Sequence, residues 1–227
     1  MPGTTRERGS IVTDGDHRPD AATVFDAIGE SYERAFAGSR AHRASLEWLL
    51  GQLKPGSRVL DVGSGTGRPT ARMLADAGHH VLGVDVSPVM VDLAARQVPG
   101  AAFRCADIRE MSLPDRSFDA VCVYFSLLQL SRAEQSVLVG RLARAVRPGG
   151  RLVLATVPLD VEDVEAVFMG QPVRVTSFGA EEFAATAVDA GLTVLRQERT
   201  VFTPAHPDAI PEPHLFLYCR RDEDPAG

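Results

Sequence analysis

The sequence predicts an α/β fold, a doubly wound and mostly parallel sheet. Three observations carry this. A run of β-formers, Val59-Leu60-Asp61-Val62, ends in three glycines, Gly63, Gly65 and Gly67, after which helical spacing begins. A buried parallel strand hands over to a helix through such a turn. A second apolar strand closes on Asp85, about twenty residues past the glycines, the spacing of a ribose-binding acid. Apolar runs such as Phe118 to Tyr124, which read as strands buried on both faces, alternate with stretches of helical period.

The 227 residues are enough for one large domain with a substantial core. A net charge of −6 argues against non-specific nucleic-acid binding, which needs a basic face. No apolar run approaches a membrane span, and the first twenty residues carry no hydrophobic signal region. No membrane contact and a cytoplasmic setting are therefore expected. Cys105, Cys122 and Cys219 lie singly in apolar runs and read as buried thiols, without metal-ligand or disulfide spacing. No metal is expected.

In chain order, residues 1–20 are polar and aperiodic and read as a disordered tail. Val24, Phe25, Ile28, Tyr32, Ala35 and Phe36 share one face of a helix running from Thr23 to Phe36. A second helix spans Ala41 to Leu53 and stops at Lys54-Pro55-Gly56. The glycine turn leads into a helix over Arg68 to Ala77, with Pro69 tolerated in its first turn. Val81 to Val84 is the second strand, and Ser87-Pro88 caps the next helix. Strands follow over Ala102 to Cys105 and Phe118 to Tyr124. Ser131 and Glu134 form a capping box for a helix that Arg147-Pro148-Gly149-Gly150 ends, before a fifth strand over Leu152 to Val157. Residues 158–178 read as an inserted pocket wall, with a short helix reaching Met169 and an extended piece over Val173 to Val175. A helix over Gly179 to Ala190, a strand over Leu192 to Phe202, a proline-rich loop over Thr203 to Pro213 and a last strand over His214 to Arg220 complete the chain.

The glycine turn narrows the ligand. A dinucleotide fingerprint needs G-x-G-x-x-G, and the sixth position here is Arg68. A Cβ at Gly63 or Gly65 would block close approach to backbone N–H groups at the helix start. Asp61 would repel a pyrophosphate but suits a cationic head such as an amino group or a sulfonium. The stretch VLDVGSGTG, together with GVDVSPVM, "LP" and "SFD" around Leu113 to Asp119, and RPGGRLVL, resembles the class I S-adenosylmethionine-dependent methyltransferases, over roughly Phe25 to Arg220.

That resemblance implies a Rossmann-like methyltransferase fold: a seven-stranded sheet with an antiparallel last strand. It divides the chain into a tail (1–20), an N-terminal helical lid (21–54) and an S-adenosylmethionine-binding domain (55–227) with a pocket insertion near 158–178. It implies S-adenosyl-L-methionine as cofactor. Asp85 would take the ribose hydroxyls, its alternative role being a helix cap. Met90 would press on the adenine, its alternative being core packing. Asp107 and Ile108 would bind the adenine edge, and Tyr32 would face the methionine end, unless it is a core-edge tyrosine. The expected cofactor set is Tyr32, Asp61, Gly63, Ser64, Gly65, Gly67, Asp85, Val86, Met90, Asp107, Ile108 and Tyr124.

The acceptor is expected to be a small molecule, at oxygen in preference to nitrogen or carbon, in the manner of specialised metabolism. The wall for the transferred methyl is Phe125 to Leu130. Many relatives carry a histidine near Gln129, and this chain does not. The Asn- or Asp-Pro-Pro-aromatic signature of DNA amino-methylases is also missing after Tyr124. No residue declares itself as a base. His42, His206 and His214 are the candidates, by topology and by nearness to the lid, with surface or loop histidines as the plain alternative. The competing function is a cofactor-bound cyclase or rearrangement catalyst without methyl transfer.

Overall fold

The computed structural model describes residues 21–207 and 209–223. The tail expected over 1–20 lies outside them. Helices α1 (Ala21–Ile28) and α2 (Glu30–Phe36) stand where the sequence predicts one helix. Gly29 divides them, with a φ of 49° that lies in the left-handed region. Helix α3 (Arg40–Leu50) is capped by Ser39, whose Oγ accepts from His42 N. Strand β1 (Arg58–Val62) leads through the glycines to α4 (Thr70–Asp76). That helix starts later than the sequence predicts, with Pro69 at the cap rather than in the first turn. A proline pushes the residue before it out of helical geometry, so Arg68 stays outside. Strand β2 (His80–Asp85) precedes α5 (Pro88–Gln97), where Ser87 accepts from Met90 N and Pro88 fills the first turn.

Strands β3 (Ala102–Cys105) and β4 (Phe118–Tyr124) have the bounds read from the sequence. Cys105 is exposed, contrary to its reading as a buried thiol, because β3 is the edge of the sheet. Helix α6 (Arg132–Ala145) carries the reciprocal capping box of Ser131 and Glu134. Strand β5 (Val146–Thr156) begins earlier than expected, taking in the Pro148-Gly149-Gly150 segment with a register shift opposite Phe118 and Ala120. The short helix expected before Met169 is instead a hairpin, β6 (Val161–Phe168) and β7 (Gln171–Ser177). Met169 and Gly170 turn it with φ of 49° and 79°. Two successive left-handed residues make the tight turn that matches strand twist. Helix α7 (Ala180–Asp189) and strands β8 (Leu192–Phe202) and β9 (Glu212–Arg221) close the fold.

The main sheet has seven strands in the order β3-β2-β1-β4-β5-β9-β8. Strands β1 to β5 pair in parallel, while β9 runs antiparallel to both its neighbours, β5 and β8. The chain order reverses between β1 and β4. Ligands of open α/β sheets bind outside the strand carboxyl ends at such a reversal. Leu60 and Val62 pack on one face with Val121, Leu138 and Phe183, while Val59 packs on the other with Leu46, Leu74 and Tyr218. Burial of each such Leu or Val contributes about 1.5–3 kcal/mol, which holds the strand ends rigid beneath the site. Among the described residues no helix is long and apolar enough to cross a membrane.

Candidate active site

A cavity of about 210 Å³ opens at the carboxyl ends of β1, β2 and β4. Its floor includes Gly63, Gly65, Asp85 and Val86, and its far wall runs from Tyr124 to Leu130. Its roof is α1, α2 and the hairpin. There Val24, Ile28 and Val173 form a small buried core, with Phe25, Tyr32, Phe168 and Val175 packed against it. A second cavity, of about 480 Å³, adjoins it and shares Tyr32, Phe36, Phe125 and His214. His42, Arg43, Arg68 and Arg72 also line this second space.

The three glycines do different work. A Cβ at Gly63 would stand 2.2 Å from Ser126 Cβ, so that glycine is required by its own neighbour whether or not a ligand approaches. Phe125, with a φ of 57°, turns the chain after β4 so that Ser126 crosses the bend, where its Oγ donates to Val62 O at 2.9 Å. A Cβ at Gly67 would meet Val98, Phe103 and Ala94. Only at Gly65, with a φ of 50°, would a Cβ enter open space, and this glycine faces the cavity. Open space at Gly65 leaves room for close approach, while at Gly63, which also lines the cavity, the packing of Ser126 already excludes a side chain.

Asp61 lies beneath this bend, 2 % exposed, and its Oδ2 has no hydrogen-bond partner among the described residues. Burial, then the nearby Asp85 charge, pushes its carboxyl up to about 8. Ser64 Oγ is likewise buried and unpartnered. Neither residue lines either of these two cavities, and nor does Gly67. Asp85 lines the first cavity and accepts from Gly65 N at 2.8 Å and Ser87 N at 2.9 Å, one bond per oxygen. It thus ties the glycine bend to the start of α5. Burial raises its carboxyl, and those bonds oppose the rise.

Tyr32, Val86, Met90, Asp107, Ile108 and Tyr124 also line the first cavity. Met90 is at the same time 1 % exposed, so it serves the core as well. Tyr32 stacks on Phe36 with centroids 4.8 Å apart, and burial raises its phenol. Asp107 is gripped by Arg109, whose Nη2 donates to Oδ2 at 2.7 Å. That bond holds the Asp107 carboxyl below its usual range. Arg109 also reaches Glu134 Oε1 at 2.6 Å and faces the cavity, a role the sequence reading missed. Tyr124 OH bonds Ser45 Oγ at 2.8 Å, and its ring lies 3.9 Å from that of His42.

The three histidines separate. His42 Nε2 is 3.0 Å from Thr70 Oγ1, and burial pushes the imidazole down to about 3. His206 lines neither cavity. His214 is 1 % exposed, lines both, and has Nε2 3.2 Å from Glu212 Oε2. Glu212 and His214 are two apart on β9, hence on one face, and this Glu-Pro-His pattern is the signal that was available in the sequence. The contact of α1 with the start of α5 was not legible. There Ser87 Oγ donates to Asp26 Oδ1 at 2.5 Å. Among the described residues no group of three or more His, Cys, Asp or Glu stands together as a metal site.

Residues 59–150 match a family described as a methyltransferase domain. The chain is 37 % identical over 141 residues to demethylmenaquinone methyltransferase of Beutenbergia cavernae, an alignment covering 60 % of this chain and 57 % of that protein. Against the enzyme of the same name from Renibacterium salmoninarum it is 33 % identical over 146 residues, covering 62 % and 60 %. The chain thus spans less than two thirds of the length of these relatives. Among solved structures, 1,6-didemethyltoxoflavin-N1-methyltransferase of Burkholderia thailandensis, with S-adenosylhomocysteine bound, aligns with a TM-score of 0.67 at 23 % identity, over 89 % of this chain and 87 % of that one. The [4+2]-cyclase SpnF aligns with a TM-score of 0.68 at 21 % identity, over 89 % and 95 %. The sheet order and the matched domain agree: residues 59–150 are similar to a methyltransferase domain, and the chain has the fold of the solved methyltransferase structures it aligns with.

Proposed function

We propose that this protein transfers a methyl group from S-adenosylmethionine to oxygen of a small, flat and largely apolar acceptor, of the kind handled in specialised metabolism. The observation that carries the reading is the open bend at Gly65 above an unpaired, buried Asp61 carboxyl, with Asp85 on the same floor. These features fit the cofactor. The open face of Gly65 leaves a cradle that a Cβ would fill, and a cationic head above it would lie in the field of the Asp61 carboxyl buried beneath the bend. Asp85 keeps lone pairs for two ribose hydroxyls after accepting its two backbone bonds. Met90, Val86 and Ile108 would flank the adenine, and Asp107 would accept from its amino group while Arg109 keeps that carboxyl ionised. Tyr32, Gly63, Ser64, Gly67 and Tyr124 complete the proposed binding set.

When bound, the cofactor supplies an electrophilic methyl group on a sulfonium. The protein's own part is positioning, exclusion of water and handling of a proton. Phe25, Phe36, Phe125, Phe168 and Leu128 give the acceptor space an aromatic and aliphatic lining. This suits a planar ring, and the demethylmenaquinone acceptor named for the two bacterial relatives is in keeping with it. The lid over residues 21–54, held at Ser87 by Asp26, would close the site against water.

The test is calorimetry with S-adenosylmethionine and S-adenosylhomocysteine, followed by detection of S-adenosylhomocysteine release in the presence of naphthol-type acceptors. Binding followed by release supports methyl transfer. Tight binding with acceptor consumed and no S-adenosylhomocysteine formed would favour the cyclase reading instead.

A further inference from the structure

We infer that Glu212 and His214 form a base dyad in which Nδ1 of His214 takes the proton from an acceptor hydroxyl. The inference rests on reading the cavity as a methyl-transfer site, and it goes further by naming the base, its reactive atom and the acceptor class.

Four observations carry it. His214 is 1 % exposed yet lines both cavities, at the place where they meet. Its Nε2 lies 3.2 Å from Glu212 Oε2. An ionised carboxylate only accepts, so a neutral imidazole keeps its proton on Nε2 and turns an unprotonated Nδ1 to the other side. Nδ1 is buried and has no hydrogen-bond partner among the described residues. Buried acceptors of this kind are normally satisfied, so an unsatisfied one at a cavity wall calls for a donor from a ligand. Finally, the ring is fixed. Its centroid lies 4.4 Å from that of Phe125 and 5.6 Å from that of Phe202, and its backbone is in register with Thr200 of β8.

The surroundings favour His214 over the alternatives. His42 is the nearer neighbour of the lid, but burial pushes it down to about 3, too weak to hold a proton. Tyr32 is raised and stays a phenol. The charged and titratable groups that share the second cavity with His214 are Tyr32 and Glu33 from α2, His42 and Arg43 from α3, Arg68 ahead of α4 and Arg72 on it. Glu212 is the one in hydrogen-bond contact with the ring. The base therefore sits on β9, on the opposite side of β5 from the wall after β4.

The step balances. The hydroxyl proton passes to Nδ1, and the oxygen lone pair forms the new O–CH3 bond. The S–CH3 bond breaks, and its electron pair returns to sulfur. The positive charge lost from sulfur appears on the imidazolium, which Glu212 stabilises until its proton leaves to solvent. An amine or carboxylate acceptor would need no such dyad.

The experiment uses the full chain with 15N-labelled histidine, with and without S-adenosylhomocysteine, and assigns the His214 signals by comparison with His214→Gln. The expected result is a proton on Nε2 and none on Nδ1. A proton on Nδ1 overturns the dyad even if cofactor binds. Turnover is then measured with 1-naphthol, 4-nitro-1-naphthol and 1-naphthylamine as probes. General bases contribute about 10²- to 10⁴-fold, so His214→Gln should lose at least about 100-fold in kcat on 1-naphthol. The loss should shrink strongly on 4-nitro-1-naphthol, which is already ionised, and S-adenosylhomocysteine affinity should stay within a few-fold. Glu212→Gln should lose about 10-fold or more on 1-naphthol with the tautomer kept. An equal loss on both naphthols indicates a packing role and overturns the proposal. Methylation of 1-naphthylamine but of neither naphthol overturns the hydroxyl assignment, as does binding with no transfer to any probe. Failure of the wild-type chain to bind S-adenosylhomocysteine sinks the site reading itself, whereas the tautomer reports on the dyad independently.

Discussion

Replacing Asp61 by Asn should stabilise the cofactor-free protein at alkaline pH and weaken its binding of S-adenosylmethionine. Asp61 is 2 % exposed with one oxygen unpaired, and its carboxyl is raised from its ordinary 3.8 to about 8 by burial and by Asp85. The folded chain therefore holds a proton that the unfolded chain gives up in this window. Stability from this group is fully present below about pH 4 and is lost as pH rises towards 8. At about 1.4 kcal/mol per pH unit, a rise of about four units sets a ceiling of about 6 kcal/mol for the ionised group. An Asn in the same place leaves an unsatisfied amide costing about 1–3 kcal/mol, so the net gain at pH 8.5 should be at most about 3–5 kcal/mol, and close to nothing or a slight loss at pH 4.5. Urea unfolding of both proteins at these two pH values measures the difference. Binding supplies a second readout. A cationic head beside Asp61 favours its ionised form, so binding between about pH 5 and 8 should release close to one proton. Calorimetry in phosphate and in Tris detects the release, which the Asn variant should lack, with affinity down at least tenfold. A stability difference of the same size at both pH values, or equal proton release by both proteins, would refute the reasoning.

Gly65→Ala places its Cβ in open space at a left-handed φ of 50°, and should cost only about 1–2 kcal/mol of stability while raising the dissociation constant for S-adenosylmethionine at least about 30-fold. Gly63→Ala drives its Cβ to 2.2 Å from Ser126 and should cost more stability than Gly65→Ala, which parallel thermal melts of the two variants would show. Asp85→Ala removes acceptors for Gly65 N and Ser87 N as well as the proposed ribose contact, and should weaken binding about 100-fold with a modest fall in Tm by calorimetry and scanning fluorimetry. Asp26→Ala frees the Ser87 hydroxyl and the lid, so limited proteolysis should cut within α1 and α2 faster than in wild type, with little change in the melting of the main sheet.

Period and punctuation made most of the framework legible. The bounds of β3 and β4, the capping box at Ser131 and Glu134, and the Ser87-Pro88 helix start are local signals, and local physics obeys them. The hairpin at β6 and β7 was missed because each strand is specified by its partner across the turn and by the residues of α1 and α2 it packs against. Its own residues, rich in Glu and Asp, give no clean alternation. Cys105 was misjudged because edge position belongs to the sheet order and not to the surrounding apolar residues.

The division at the site has the same origin. The strand–glycine–helix signal at Asp61 to Gly67 and the acid closing β2 were fixed by neighbours within a few residues, so the sequence alone determined the fold class and pointed to the cofactor. Tertiary structure decided which glycine faces open space, which carboxyl is left without a partner, and which of three histidines reaches both cavities. These depend on side chains far apart in the chain, such as Gly63 with Ser126, Asp107 with Glu134 through Arg109, and His214 with Phe125. No local period encodes those meetings. They follow from the order of strands in the sheet, which sets what stands opposite what.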